Sequence, residues 1–135
     1  MSSPLNLPGL TVFERGWLSS NNVLLHDGDG ATLIDSGHVR HADQTVALLR
    51  QALQGRPLGR LVNTHLHSDH CGGNATVQVT WSPLTQIPPG LAHAARQWDE
   101  VALGYQPTGQ MCPRFAMHGV VSPGELVPAS RTVAT

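Results

Sequence analysis

Apolar and polar positions in the first third of the chain form short runs that turn residues separate. Residues 22–26 (Asn-Val-Leu-Leu-His) and 31–35 (Ala-Thr-Leu-Ile-Asp) flank the sequence Asp-Gly-Asp-Gly, which is typical of tight hairpin turns. The two runs therefore predict an antiparallel pair of strands. Residues 1–12, which are rich in Ser, Pro and Gly, are expected to form an irregular lead-in.

A helical pattern follows the hairpin. Between residues 42 and 53 the apolar side chains Val46, Leu49 and Leu53 fall on one helical face. Gly55 is expected to cap this helix at its C-terminal end.

Residues 59–63 form a short apolar run that predicts a buried strand. The order strand, strand, helix, strand is typical of a layered α/β fold. The remaining predicted elements are helices at 74–79 and 91–98, strands at 85–87 and 115–121, and a loop at 104–113.

The composition narrows the classes of function. The chain has 135 residues, of which 40% are hydrophobic, and a net charge of −1, so it suits one domain and carries no basic field for nucleic acid or anionic lipid. It lacks an apolar run of the roughly 20 residues that a membrane span needs. Residues 1–10 do not resemble a secretory signal. We therefore expect a cytoplasmic protein that acts on a small molecule, with no nucleic-acid or membrane partner.

The most distinctive stretch is residues 63–74, with the sequence Asn-Thr-His-Leu-His-Ser-Asp-His-Cys-Gly-Gly-Asn. It holds His65, His67, Asp69 and His70, and imidazole and carboxylate groups are ligands of zinc-type ions. Alternation places the first two histidines on one side of an extended segment, and a turn then lets the other two side chains face the same point. The alternative is a polar loop that binds nothing. The pattern His-x-His-x-Asp-His is rare by chance and favours a metal site.

Two residues near this stretch each have two interpretations. Asp35 ends a predicted strand, where an aspartate is usually a turn former, although it can also brace a metal loop as a carboxylate behind the ligands. Spacing alone favours the turn former. Cys71 could be read as a nucleophile, but a small thiol beside two glycines is more often packed and inert. The other cysteine is Cys112, and two cysteines are too few for a disulfide framework.

Residues 64–70, Thr-His-Leu-His-Ser-Asp-His, resemble the signature of the metallo-β-lactamase-fold hydrolases. The Asp-Gly hairpin, the Ile-Asp-Ser-Gly sequence at 34–37 and the Gly-Gly-Asn sequence at 72–74 agree with that resemblance. The leading Thr64 is more similar to glyoxalase II-like and general hydrolase members than to secreted antibiotic-degrading ones. The resemblance implies an αββα sandwich with the site at one edge of a sheet.

The resemblance also implies roles for individual residues. His65 and His67 would bind a first metal ion, and Asp69 and His70 a second, while Asp35 would steady the ligand loop. One or two zinc ions are expected, with iron or manganese as alternatives. A metal-bound hydroxide would attack an ester, thioester, lactam or phosphoester. Asp69 would orient that water and shuttle its proton, which makes it the predicted catalytic residue.

The sequence departs from the family pattern after residue 74. The family uses a third histidine in a Gly-His context, a later bridging aspartate and a final histidine, and no such context follows. The later histidines are His93, expected on a helix surface, and His118, in a strand-like run. We therefore expect residues 1–19 to be a lead-in and 20–135 to be the N-terminal half of the sandwich. An incomplete sandwich would expose sheet edges and favour self-association.

Two functional hypotheses from different classes follow. The first is a metal-dependent hydrolase of the metallo-β-lactamase superfamily. The second is a catalytically inactive, truncated remnant or a metal-binding interaction module, because two protein ligands per ion are fewer than the three that catalytic zinc usually keeps.

Overall fold

The computed structural model describes residues 5–7, 9–15, 21–28, 30–106, 108, 110–116 and 120–121. The strands in these residues are β1 Leu5–Leu7, β2 Leu10–Phe13, β3 Asn22–Asp27, β4 Gly30–Ile34, β5 Arg60–Val62, β6 Leu84–Gln86 and β7 Val120–Val121. The helices are α1 Ala42–Leu53, α2 Ser68–Cys71, α3 Asn74–Trp81 and α4 Ala92–Gln97, and a 3₁₀ turn covers Val39–His41.

All seven described strands form one sheet in chain order, from β1 to β7. The first four are antiparallel neighbours, and β4, β5, β6 and β7 are parallel. The predicted hairpin is confirmed: Val23 pairs with Ile34, and Asp27 pairs with Gly30 across the turn. Gly28 in this turn has φ +63°, a value that glycine adopts without steric cost.

The lead-in is more regular than the sequence indicated. Leu5–Leu7 and Leu10–Phe13 are strands, so the expectation of an irregular segment was wrong for these residues. The backbone forms a hairpin because Gly9 takes φ +76°, and Phe13 is buried in the core. Hydrogen bonding to the neighbouring β3 overrides the poor strand propensity of a segment rich in Pro and Gly.

Helix α1 has the predicted bounds, Ala42–Leu53. Leu49 and Leu53 are buried as expected, whereas Val46 is half-buried and Thr45 is buried beside it. The cap is Gln54, in the left-handed conformation with φ +51°, and it precedes the predicted Gly55 by one residue. The helix crosses from β4 to the parallel β5, as a βαβ unit requires.

Two apolar clusters lie on the described part of the fold. The first joins the sheet to α1 and α3 through Phe13, Leu24, Ala31, Leu33, Leu49, Leu53, Leu58, Leu61 and Val77. The second joins the ligand segment, α4 and the following loop through Leu66, Cys71, Ile87, Ala92, Ala95, Leu103, Tyr105 and Phe115. The segment from Leu66 to Cys71 therefore has its apolar side chains anchored in a core.

The second half confirms the predicted elements with altered bounds. The weakly patterned helix at 74–79 is α3, the helix at 91–98 is α4, and the loop at 104–113 has no regular structure where it is described. The strand predicted for 115–121 is wrong at Phe115 and Ala116, which are not in a strand, and right at 120–121. Residues 117–119 lie outside the described residues. Among the described helices, we find none with the length and apolar character of a membrane span.

Candidate metal centre

Two segments meet at one edge of the sheet. One begins at Asp35, directly after β4, and the other begins at Asn63, directly after β5. Because β4 and β5 are parallel neighbours, their carboxyl ends lie side by side, which is where layered α/β folds place their sites. The backbone amide of Asp35 donates to the carbonyl of Val62 at 2.7 Å. The first segment is thus joined at its first residue to the last residue of β5.

The carboxylate of Asp35 braces the segment that follows β5. Its Oδ1 accepts from the Thr64 backbone N–H at 2.8 Å, and its Oδ2 accepts from the Thr64 hydroxyl at 2.6 Å. The same Oδ2 lies 2.9 Å from Nδ1 of His70. These partners are 29 and 35 positions away, so of the two interpretations of Asp35 the bracing carboxylate is the one observed.

Asp35 holds this position in an unusual backbone conformation. Its φ is +62°, a left-handed value that costs a non-glycine residue about 1–3 kcal/mol and persists only where the surrounding structure fixes it. The carbonyl of Asp35 accepts from Nδ2 of Asn22 at 3.0 Å, and Oδ1 of Asn22 accepts from Nη1 of Arg15 at 2.6 Å. Arg15 also donates to the hydroxyl of Thr45 at 2.7 Å. This chain of bonds fixes Asp35 from behind.

Three amide and hydroxyl side chains lock the two segments to the start of α3. The amides of Asn63 and Asn74 exchange hydrogen bonds, with Asn74 Nδ2 donating to Asn63 Oδ1 at 2.7 Å and Asn63 Nδ2 donating to Asn74 Oδ1 at 3.1 Å. The hydroxyl of Ser36 donates to the same Asn74 Oδ1 at 2.7 Å. All three residues are buried. Their sequence positions alone do not indicate this role, although each buried polar group needs such a partner.

The paired glycines after α2 allow the segments to touch. A Cβ on Gly72 would lie 2.5 Å from the Val39 backbone N, and a Cβ on Gly73 would lie 2.5 Å from the Ser36 backbone O. The amide of Gly73 donates to the Gly37 carbonyl at 3.0 Å. Only residues without a Cβ allow the two backbones to approach this closely.

The predicted ligands lie together on the exposed side of this edge. His65 and His67 are exposed, and their rings stack with centroids 5.6 Å apart. The rings of His65 and His70 have centroids 4.7 Å apart. Oδ2 of Asp69 lies 3.6 Å from Nε2 of His70, and the Asp69 side chain is 47% exposed. The structure thus brings His65, His67, Asp69 and His70 into one neighbourhood.

The chemistry of these side chains fits a zinc-type ion. Because Nδ1–H of His70 donates to the Asp35 carboxylate, the Nε2 lone pair of that ring is left to bind a metal, as in carboxylate–histidine–metal arrangements. Nδ1 of His65 is likewise 3.0 Å from the Thr64 hydroxyl. Within the described residues, however, no three His, Cys, Asp or Glu side chains converge closely enough to hold an ion. The donor types fit, and their side-chain conformations are not those of a formed site.

A fourth histidine lies beside this edge and was not singled out from the sequence. His38 is buried, and its Nδ1 accepts from the backbone N–H of Arg40 at 3.1 Å as the cap of the 3₁₀ turn. Burial lowers the pKa of His38, the positive charges of Arg40 and His41 lower it further, and the charge of Asp69 opposes them. These surroundings therefore favour the neutral form of the His38 imidazole.

Cys71 is packed, as expected. It is fully buried, its Sγ lies 3.3 Å from the Tyr105 hydroxyl and 3.5 Å from Sγ of Cys112, and both cysteines are free thiols. The hydrogen bond with Cys112 and burial raise the pKa of the Cys71 thiol well above its usual value. A protonated, buried thiol is a poor nucleophile toward a substrate at the sheet edge.

The later histidines do not join the described site. His93 is exposed on α4, as predicted. His118 lies outside the described residues.

Comparison with known proteins decides the family. Residues 15–127 match the model of the metallo-beta-lactamase superfamily. The chain belongs to the metallo-beta-lactamase superfamily. The sequence is 28% identical over 134 residues to a hydroxyacylglutathione hydrolase of Maricaulis maris, a match that covers 86% of this chain and 51% of that protein. The chain thus spans about half the length of this curated relative.

Solved metallo-beta-lactamases share the fold. A metallo-beta-lactamase of Cronobacter sakazakii matches with a TM-score of 0.60 and 25% identity over 71% of this chain and 38% of that one. The FEZ-1 metallo-beta-lactamase of Legionella gormanii matches with a TM-score of 0.67 and 16% identity over 88% of this chain and 45% of that one. The α/β fold described above is therefore the N-terminal part of the superfamily fold, as the sequence predicts.

Proposed function

We propose that this chain carries the metal-binding part of a metal-dependent hydrolase that acts on an ester, thioester, lactam or phosphoester. The observation that supports this most directly is the contact between the Asp35 carboxylate and Nδ1 of His70, at 2.9 Å. A buried carboxylate that fixes one imidazole nitrogen, at the carboxyl ends of two parallel strands, is what a metal ligand needs behind it. Membership of the superfamily also supports the proposed hydrolase function.

In this proposal His65, His67, Asp69 and His70 would hold the ion. A bound divalent ion of the zinc type, with iron or manganese as alternatives, supplies acidity to water and polarises the oxygen of the group under attack. The half-exposed Asp69 carboxylate, 3.6 Å from Nε2 of His70, would orient water and accept its proton. Asp35 would act through His70 and Thr64, and would touch neither water nor substrate.

The relatives suggest which substrates to try first. The relative from Maricaulis maris is named a hydroxyacylglutathione hydrolase, and the relatives from Cronobacter and Legionella are named metallo-beta-lactamases. An acylglutathione thioester and a chromogenic β-lactam therefore represent the two chemistries. Since Thr64 leads the motif in the manner of the glyoxalase II-like members, we expect the thioester to be the better substrate.

The test is hydrolysis of both compounds by the purified 135-residue chain loaded with zinc. We expect zinc-dependent thioester hydrolysis that is lost in His67→Ala. His93→Ala is the matched control, since it removes an exposed histidine on α4, and it should keep full activity. Zinc bound at one or two ions per chain without turnover of either compound would contradict the hydrolase proposal.

One observation favours a second candidate, a metal-binding chain without catalysis. Among the described residues no three candidate ligands converge, and catalytic zinc usually has three protein ligands. Such a chain would bind zinc weakly and turn over nothing. Metal-dependent turnover by the 135-residue chain would eliminate this candidate.

Self-association is a further proposal. In the described sheet β1 and β7 are the outer strands, and unpaired strand edges favour pairing with another copy. Light scattering on the full chain tests this idea. A dimer mass would support it, and a monomer mass at high concentration would remove it.

A further inference from the structure

Two sulfur atoms face each other behind the ligand segment. Cys71 ends α2, directly after His70, and Cys112 lies in the loop that follows α4. Their Sγ atoms are 3.5 Å apart although the residues are separated by 41 positions. The Cys112 thiol also lies 3.6 Å from the Cys71 carbonyl. The fold has therefore brought together the only two thiols in the sequence.

The loop is docked on α2 by other contacts as well. The Ser68 backbone N–H, at the start of α2, donates to Oε1 of Gln110 at 2.9 Å. The Tyr105 hydroxyl lies 3.3 Å from Cys71 Sγ, and Tyr105 is fully buried. The two ends of α2 thus each contact the loop, one through Gln110 and the other through Cys112. The contact between Cys112 and Cys71 is therefore one of several contacts that dock the loop on α2.

We propose that Cys71 and Cys112 form a site of covalent modification, an intrachain disulfide that joins α2 to the loop containing Gln110 and Cys112. An S–S bond is about 2.05 Å long, so the sulfurs must approach by roughly 1.5 Å from 3.5 Å. Cys112 lies in a segment without helix or strand, which can supply that movement with little loss of hydrogen bonding. The proposal does not depend on the hydrolase function.

Oxidation of the two thiols to a disulfide needs an oxidant, and a small disulfide such as oxidised glutathione can supply it. The Cys112 thiolate attacks one sulfur of the small disulfide, which gives a mixed disulfide and releases one small thiol. Cys71 then gives up its proton as it attacks Sγ of Cys112, the protein disulfide forms, and a second small thiol leaves with that proton. The protein loses two hydrogens and two electrons, and the small disulfide gains both.

The order of attack follows from exposure. Cys112 is half-buried, so a small oxidant can reach it, whereas Cys71 is fully buried. The hydrogen bond from Cys71 lowers the pKa of Cys112, which raises the fraction of the reactive thiolate. Cys112 is therefore the attacking thiol and Cys71 the resolving one.

The bond would couple the redox state of the surroundings to the ligand segment. Helix α2 carries Asp69 and His70, and a covalent link at Cys71 would restrict its movement relative to the loop. In a reducing cytoplasm, the compartment that the sequence predicts, the pair would stay as thiols and respond only to oxidation. The modification is thus expected to act as a response to oxidants at the edge of the metal centre.

The test is to expose the full chain to oxidised glutathione and map its thiols by mass spectrometry. We expect both thiols to disappear and the monomer to lose two hydrogen masses. Cleavage at arginine should then release peptides 61–96 and 97–114 as one linked species that reduction separates. Closing a loop of this length should raise the thermal unfolding midpoint by roughly 10 °C.

Cys112→Ser is the variant to compare, because Cys112 is half-buried in the loop and serine replaces only its sulfur atom with oxygen. It should keep Cys71 as a free thiol under the same treatment and show no rise in the unfolding midpoint. Three results would overturn the proposal: glutathione that stays on Cys112 while Cys71 remains free, disulfides found only between two chains, or no reaction of the folded wild-type chain.

Discussion

The two segments at the sheet edge are built in opposite ways. The segment after β4, from Asp35 to His38, is buried, and Asp35 and Ser36 are 4% and 0% exposed. The segment after β5 is largely exposed, with Thr64, His65 and His67 facing solvent. Both follow parallel neighbouring strands, so their position in the fold does not explain the difference.

The contrast shows where the stability of this site lies. The first segment has its carboxylate, hydroxyl and carbonyl groups bonded to distant residues, and it therefore contributes to folding. The second segment offers imidazole rings that make few contacts with the protein. We infer that the first segment, Asp35 to His38, is a fixed frame. The second segment supplies the candidate ligands, and Asp35 of the frame holds them in place. Substitutions in the frame should cost stability, and substitutions among the ligands should cost metal binding.

The largest effect is expected where the frame is most tightly packed. Gly73→Ala would place a Cβ 2.5 Å from the Ser36 backbone O and 3.2 Å from its Cβ, so the backbone must shift. We expect a loss of about 3 kcal/mol in the free energy of unfolding, measured with urea. Gly59→Ala is the control, since the nearest atom would be 3.9 Å away. Equal losses for the two variants would show that the frame is not tightly packed.

A smaller but still large effect is expected from Asp35→Asn. Asparagine tolerates a positive φ, so the backbone is kept while the charge that binds Thr64 and His70 is lost. Hydrogen bonds to charged groups predict a cost of about 2 kcal/mol in stability, and loss of a carboxylate behind a ligand predicts a 10–100-fold weaker zinc affinity. Urea unfolding and zinc titration measure the two effects. Asp43→Asn, at an exposed carboxylate in α1, should leave zinc affinity unchanged.

Asn22→Leu tests the connection behind Asp35. The apolar side chain of similar size would leave Nη1 of Arg15 and the Asp35 carbonyl without this partner. We expect a cost of about 1–2 kcal/mol in urea unfolding. Asn21→Ala removes an exposed acceptor of the Arg15 backbone N–H and should cost no more than about 0.5 kcal/mol. A larger loss of stability for Asn21→Ala than for Asn22→Leu would show that other residues support Asp35.

Substitutions in the ligand segment should weaken zinc binding and leave stability almost unchanged. His67→Ala removes an exposed ring, so we expect a change of no more than about 0.5 kcal/mol in the stability of the metal-free chain. Zinc affinity should fall in the same variant, which calorimetric titration measures. A loss of stability similar to that of Asp35→Asn would erase the distinction between frame and ligands.

The smallest effect concerns pH. Burial lowers the pKa of His38 in the folded chain below its usual 6.5, so the unfolded chain binds the proton more tightly. The contribution of His38 to stability is therefore complete above pH 6.5 and falls as the pH drops below that value. His38→Asn keeps an acceptor for the Arg40 N–H and removes the titrating group. Between pH 7 and 5, the free energy of unfolding should change less with pH in this variant than in the wild type.

The sequence predicted much of the fold because the signals were local. The Asp-Gly turn and the apolar runs around it predicted β3 and β4, and the 3.6-residue period predicted α1 with its observed bounds. The strands β1 and β2 were missed, because their segment has the composition of a loop and its pairing with β3 is a tertiary effect. The end of α1 differed by one residue, because Gln54 adopts the left-handed conformation that glycine more often takes.

For the site, the sequence could indicate only those residues that lie close together along the chain. The candidate ligands lie within six residues, so one local motif is enough to predict them, and their roles stay predictions. The partners of Asp35 are 29 and 35 positions away, so spacing favoured a turn former and could not reveal the brace. Asn22 did carry a signal, because it shares the inward face of its strand with Leu24 two residues on. A polar residue at an inward position predicts a buried hydrogen bond.

The most direct test of the account is a zinc titration of the metal-free wild-type chain, followed through the imidazole nitrogen resonances by NMR. We expect the resonances of His65, His67 and His70 to shift together and to saturate at one or two ions per chain, while the His93 resonances do not shift. Unchanged resonances for those three rings, or an equally strong response of His93 to zinc, would rule out a metal site formed by this loop.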